Sequence, residues 1–168
     1  YIEPKVLDMF EAETGIKVEY EEYITPENMY TKYKAGAIDY DLICTSDYMI
    51  EKLIGENEVL DLDYSRIPLV KNLDPSYFDF SKSFDPQNKY TLPYFFGTVG
   101  ILYNREMVDE SKVSSWQVLW DESYSGKIIM ADSVRDSFMV AEKILGYSLN
   151  TTDDDRLREA QKLLIEQK

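Results

Sequence analysis

The run Tyr40-Asp41-Leu42-Ile43-Cys44-Thr45-Ser46-Asp47-Tyr48-Met49 decides how the rest of the chain is read. Leu42-Ile43-Cys44 is apolar, too short for a helix and bounded by polar residues, the pattern of a strand buried on both faces. Thr45-Ser46-Asp47 are helix N-cap types. Beyond them Met49, Ile50, Leu53 and Ile54 recur at helical spacing, with Gly55 after the last. Strand, polar turn and helix make half of a βαβ unit, and open α/β sheets bind ligands at the carboxyl ends of their strands. Ser46, Asp47 and Tyr48 stand in such a place. The turn lacks the glycines of a phosphate cradle. Asp47 is suited to the positive end of the helix macrodipole and would repel an anion, so a cationic or neutral ligand fits better. The bland alternative is that Ser46-Asp47 is only a cap.

Outward from that turn the rhythm repeats. Pro4 opens a helix with Val6, Leu7 and Phe10 on its apolar side and Gly15 at its end. Ile16, Val18 and Tyr20 alternate with Lys17 and Glu19, predicting a strand over 16–20. Thr25-Pro26 opens a second helix carrying Met29, Tyr30 and Tyr33. With the strand over 40–44 and its helix, the order is that of a parallel sheet with helices on its faces. The strand expected ahead of the first helix is missing, which would put Tyr1 at the end of a loop leaving it.

Residues 56–90 are less regular. Val59-Leu60 and Leu62 read as a short edge strand, Pro68, Pro75 and Pro86 break any long element, and Phe84–Lys89 reads as a turn. Pro93-Tyr94-Phe95-Phe96-Gly97-Thr98-Val99-Gly100 marks a crossover between two lobes, with Gly97 and Gly100 as permissive backbone points; a bulged hydrophobic strand is the alternative. The lobes are residues 1–96 and 97–168. In the second, Ser115-Trp116-Gln117-Val118-Leu119-Trp120 predicts a short capped helix, and Ile128-Ile129-Met130-Ala131 a buried strand over 127–131. Asp132-Ser133-Val134-Arg135-Asp136 leads into a helix ended by Gly146, and Thr152 or Asp153 caps a last helix with Leu157, Ala160, Leu163 and Leu164 on one side. Two such strand–turn–helix units, one per lobe, would face each other across a cleft.

Composition narrows the function. The chain has 168 residues, enough for one domain or two small lobes, and a net charge of −14 that argues against nucleic acid and anionic membranes as partners. With no histidine, the usual metal ligand and general base are absent, and neither a metal nor another cofactor is expected. No apolar run is long enough to span a bilayer, and no signal segment is expected among these residues. The single cysteine, Cys44, reads as a buried small hydrophobe. Asp132 and Asp136 are four apart and share a helix face if the helix starts at Asp132. They would either cap and pair on the surface or grip an amine. A carboxylate–ammonium contact at about 4 Å is worth roughly 4 kcal/mol at an effective dielectric of about 20, before desolvation. Tyr1, Tyr48 and Phe96 could add cation–π contact of about 0.5–2 kcal/mol each. Paired carboxylates also suit a hydrolase, but no nucleophile stands with a base, so an enzyme is disfavoured.

The sequence resembles the substrate-binding component of bacterial spermidine/putrescine ABC transporters, of type II periplasmic binding-protein fold. The resemblance is carried by Phe10-Glu11-Ala12-Glu13-Thr14-Gly15-Ile16-Lys17-Val18, Tyr40-Asp41-Leu42 leading to Ser46-Asp47-Tyr48, Pro93-Tyr94-Phe95-Phe96-Gly97, Ser115–Trp120 and Leu145-Gly146-Tyr147-Ser148-Leu149-Asn150-Thr151-Thr152-Asp153. It covers essentially the whole chain and about half of a typical member. It implies an α/β fold of two lobes, incomplete at both ends, that holds a linear polyamine between aromatic walls with carboxylates at the amino groups. It further implies a membrane permease as partner and a periplasmic or membrane-anchored extracellular location. By the same resemblance Ser46, Tyr48, Tyr1 and Phe96 fall on or near first-lobe binding positions. Ser133 and Asp136 fall where the family has an aspartate and a glutamate, with Asp132 one residue off. A binder of another small solute and a pure interaction module are the remaining alternatives.

Overall fold

The computed structural model describes residues 2–168; Tyr1, expected at the ligand site, lies outside them. The chain divides into two compact units, Tyr1–Phe96 and Gly97–Lys168. In the first, α1 spans Pro4–Thr14, α2 Pro26–Lys34, α3 Asp47–Gly55 and α4 Pro75–Ser81. In the second, α5 spans Val134–Leu145 and α6 Asp154–Gln167. Short 3-10 turns fill much of the connecting chain, including Trp116–Trp120.

The helix boundaries follow their caps. Pro4 and Pro26 occupy first-turn positions, Gly15 closes α1 at φ 74°, and the Thr25 hydroxyl accepts from Asn28 N–H at 3.2 Å. Asp153 rather than Thr152 caps α6, accepting from Asp155 N–H and Arg156 N–H. Gly55 does not stop α3; the helix runs through it to a Glu56 cap, and the chain then turns at Asn57 with φ 57°. Helix α4 forms where the sequence shows only breakers, because Pro75 sits at its first position and Asp74 caps it.

The strand expectations fail. Among the described residues no strand forms over 16–20, 40–44 or 127–131, nor at Val59–Leu62. A strand needs a second segment to receive its backbone hydrogen bonds. Here those bonds are local, apart from Leu62 N–H to Lys89 C=O at 2.8 Å. Some of the apolar side chains meant for a sheet interior are therefore bare: Leu42 is 86% and Ile129 94% exposed, while Ile43 packs on the Met29–Met49–Leu53 core. Cys44 is exposed for the same reason, with its carbonyl taking the Tyr23 hydroxyl. Gly97 and Gly100 do not join the glycines of positive φ, and a Cβ at either would meet nothing within 4 Å.

Each unit has its own small core. In the first, Met29 of α2 meets Met49 and Leu53 of α3, with Tyr30, Tyr33 and Tyr48 packed around them. Polar contacts pin the same two helices. Tyr30 Oη donates to Glu56 at 2.9 Å and Tyr33 Oη to Glu58 at 2.6 Å, while Lys34 reaches Glu56 at 3.3 Å and Glu58 at 2.7 Å. Lys52 adds a contact to Glu56 at 2.9 Å. In the second unit α5 packs on α6, Val140, Ala141 and Ala160 are buried, Trp120 Nε1 donates to the Leu163 carbonyl and Gln167 Nε2 to that of Leu119.

The loop after α4 is built on one buried carboxylate. Asp85, 1% exposed, accepts from the N–H groups of Lys89, Tyr90 and Thr91 and from the Thr91 hydroxyl, all at 2.9–3.0 Å. Asp85→Ala would strand those donors, at about 1–3 kcal/mol for each that finds no water. The expected result is a lowered denaturant midpoint for the first unit with the α5–α6 pair unaffected, read by amide exchange along the chain.

The Glu56 carboxyl is held down to about 2 by Lys52, Tyr30 and Lys34, and the Glu58 carboxyl is lowered by Lys34 and Tyr33. A depressed carboxyl contributes stability that is present above its unfolded value of 4.5 and is lost as pH falls through the folded value. The α2–α3 pair should therefore loosen between pH about 4.5 and about 2. The acid limb should flatten in a Glu56→Gln variant when stability is followed against pH.

Candidate ligand-binding site

Ser46 has the backbone of an N-cap, φ −74° and ψ 155°, but its hydroxyl makes no capping bond to α3. Asp47 fills that role at short range, with Oδ1 accepting from Tyr48 N–H at 2.8 Å. Beside them Thr45 Oγ1 is shielded from solvent without a hydrogen-bond partner. Tyr48 is half-buried, its ring against the Met29–Met49–Leu53 core and its hydroxyl donating to Glu27 Oε1 at 2.8 Å. Ser46, Asp47 and Tyr48 thus share the N-terminal end of α3, as expected. Phe96 stands in an exposed aromatic cluster, 5.4 Å from Tyr77 and 6.0 Å from Phe80 between ring centroids.

In the second unit Ser133 is the N-cap of α5, and its hydroxyl accepts from Asp136 N–H at 3.2 Å. Asp136 lies half-buried in the first turn. Asp132 precedes the cap and is exposed, so the two aspartates do not share a helix face: the helix starts at Val134, two residues later than that pairing needs. Arg135 donates to Asn150 Oδ1. Among the described residues Asp47, Asp132 and Asp136 take part in no ion pair, while Lys17, Lys32, Lys34 and Lys52 are drawn to glutamates elsewhere.

Glu27 is the partner of Tyr48 that sequence reasoning missed. It is 21 positions from Tyr48, and no periodicity links the two. The available signal was its place just after Thr25-Pro26, which fixes it in the first turn of α2.

The starts of α3 and α5 each carry a serine and an aspartate that takes part in no ion pair among the described residues, and the Tyr48 ring stands beside the first. Residues 5–168 match the family described as bacterial extracellular solute-binding protein, and the chain belongs to that family. It is 40% identical over 163 residues to the spermidine/putrescine-binding periplasmic protein of Escherichia coli, an alignment that takes in 95% of this chain and 46% of the relative. A solved spermidine/putrescine ABC transporter substrate-binding protein from Streptococcus pneumoniae is 42% identical, with a TM-score of 0.77 over 99% of this chain and 51% of its own. A structure from Listeria monocytogenes described as a spermidine/putrescine ABC transporter has a TM-score of 0.89 at 40% identity, over 99% of this chain and 51% of its own. The fold is therefore that of the matching part of these solute-binding proteins. The chain spans about half the length of the relatives it matches.

Ser133→Ala should remove the α5 cap at a cost of about 0.5–2 kcal/mol. Ser46→Ala, with no capping bond to lose, should leave α3 nearly unchanged. Thermal melts of the two variants, with exchange protection read separately at α3 and α5, check the contrast.

Proposed function

We propose that the whole protein captures linear polyamines such as spermidine and putrescine for an ABC importer. The observation carrying this reading is the set of unpaired carboxylates at the starts of α3 and α5, with the Tyr48 ring beside the first. An ammonium needs a carboxylate or an aromatic face, and methylene segments gain from contact with rings. The names of the relatives support the same class of ligand.

On this reading the units at 1–96 and 97–168 are the two lobes of a type II binding protein, and each brings one helix start to the ligand. Tyr1, Ser46, Asp47, Tyr48 and Phe96 serve from the first lobe, and Asp132, Ser133 and Asp136 from the second. The protein works outside the cytoplasm, in the periplasm or anchored at the outer face of a membrane, and hands its ligand to a permease. It performs no catalysis and meets no nucleic acid. A different small solute on the same scaffold is the second reading, favoured by Ser133, whose hydroxyl is used as a cap where the relatives' resemblance implies an acid.

Calorimetric titration of the full-length protein with spermidine, putrescine and an anionic dicarboxylate tests the proposal. Both polyamines should bind and the dicarboxylate should not. Tyr48→Ala should weaken both polyamines, since it removes wall rather than charge. Asp136→Asn should cost about 2–5 kcal/mol, the range for a buried charge pair that loses one partner. Unchanged affinity in Asp136→Asn would make Asp136 a surface acid.

A further inference from the structure

We infer that Glu27 is a positioning residue that sets the hydrogen-bonding polarity of the Tyr48 hydroxyl, and with it the preference of the first unit for ligands that donate rather than accept. The inference rests on the polyamine reading above and deepens it.

The geometry begins with the cap of α2. Thr25 holds Asn28 N–H at 3.2 Å and Pro26 occupies the first helical position, so Glu27 is fixed in the first turn with its side chain exposed. The Met29–Met49–Leu53 core joins α2 to α3 and packs the Tyr48 ring against itself. That packing brings the Tyr48 hydroxyl to Glu27 Oε1 at 2.8 Å. Ser46 and Asp47 adjoin Tyr48 at the start of α3.

A phenolic hydroxyl has one proton to give. Donated to a carboxylate, that proton is committed, and the oxygen can then only accept. The glutamate's charge also polarises the O–H bond and makes the oxygen a better acceptor, the usual cooperativity of linked hydrogen bonds. An ammonium offers only donors and matches such an oxygen. A carboxylate or phosphate offers only acceptors and finds no proton on Tyr48. Glu27 therefore acts on the ligand through Tyr48, without needing to touch it.

A double-mutant cycle in the full-length protein isolates this role. The variants are Glu27→Gln, Tyr48→Phe and the two combined, each titrated with spermidine and with an anionic dicarboxylate and each checked by thermal melt. Glu27→Gln should weaken spermidine about two- to tenfold, the net worth of one hydrogen bond, and narrow the preference over the dicarboxylate. In the Tyr48→Phe background the same change should leave spermidine affinity unaltered. A purely structural contribution of Glu27 to the start of α2 would lower the melting temperature equally in both backgrounds and would not depend on the Tyr48 hydroxyl. Equal losses of affinity in both backgrounds, or no loss in either, would overturn the role of Glu27 while leaving polyamine binding intact. A wild-type protein that binds spermidine no better than the dicarboxylate would overturn the polyamine reading and this inference with it.

Discussion

Backbone N–H groups need acceptors, and in this protein nearly all of the acceptors come from nearby in sequence. That constraint decides which segments become elements. Helices supply their own acceptors, and their first turns are completed by side chains at hand: Thr25, Asp74, Ser133 and Asp153 each take an N–H that the helix cannot satisfy. Outside the helices the clearest solution is Asp85, whose carboxylate serves three successive N–H groups and so fixes a loop without a ladder. Segments 16–20, 40–44 and 127–131 form no ladder, and Ile16, Leu42 and Ile129 remain largely in water while Ile43 packs on the first core.

Charge follows a related logic. In a chain of net charge −14 the basic residues are scarce, and where they settle determines which acids stay bare. Lys34 and Lys52 gather at Glu56 and Glu58, where the cations lower both carboxyls and brace α2 against α3. Asp47 and Asp136 are left to the positive ends of α3 and α5. A helix start steadies a carboxylate by roughly 0.3–1 kcal/mol, well short of the roughly 4 kcal/mol, before desolvation, of a close ammonium at an effective dielectric of about 20. Acids in that position are held in place yet remain open to a cation from solution.

The parts of the fold that were legible in the sequence are those set by local chemistry. Pro4, Pro26 and Gly15 marked helix ends that the structure keeps, and the spacing of Met29, Met49 and Leu53 identified the core-facing sides of α2 and α3. What was not legible depends on residues far apart. An apolar run such as Leu42-Ile43-Cys44 states that burial is wanted, but pairing requires a second segment that the run itself does not specify. Asp132 and Asp136 looked like a facing pair only while the helix start was placed one residue before its true cap. The Glu27–Tyr48 bond depends on the packing of two helices, and neither residue carries a mark of the other. That Ser46, Asp47 and Tyr48 lie together at the start of α3 was legible because a turn before a helix is a local signal.

The two helix starts also differ in a way that bears on recognition. At α3 the Asp47 carboxylate takes the Tyr48 N–H, and the Ser46 hydroxyl makes no capping bond. At α5 the hydroxyl of Ser133 takes the N–H of Asp136, and the carboxylate of Asp136 remains. A serine can cap or contact a ligand with a given lone pair, and an aspartate that caps has one oxygen fewer to offer. Unit one therefore presents a hydroxyl and an aromatic wall, and unit two presents a carboxylate. An aspartate at position 133 would change this balance. It would take over the cap and add a second negative charge within one helical turn. With serine there the cap is neutral, and Asp136 is the acidic residue of the first turn of α5.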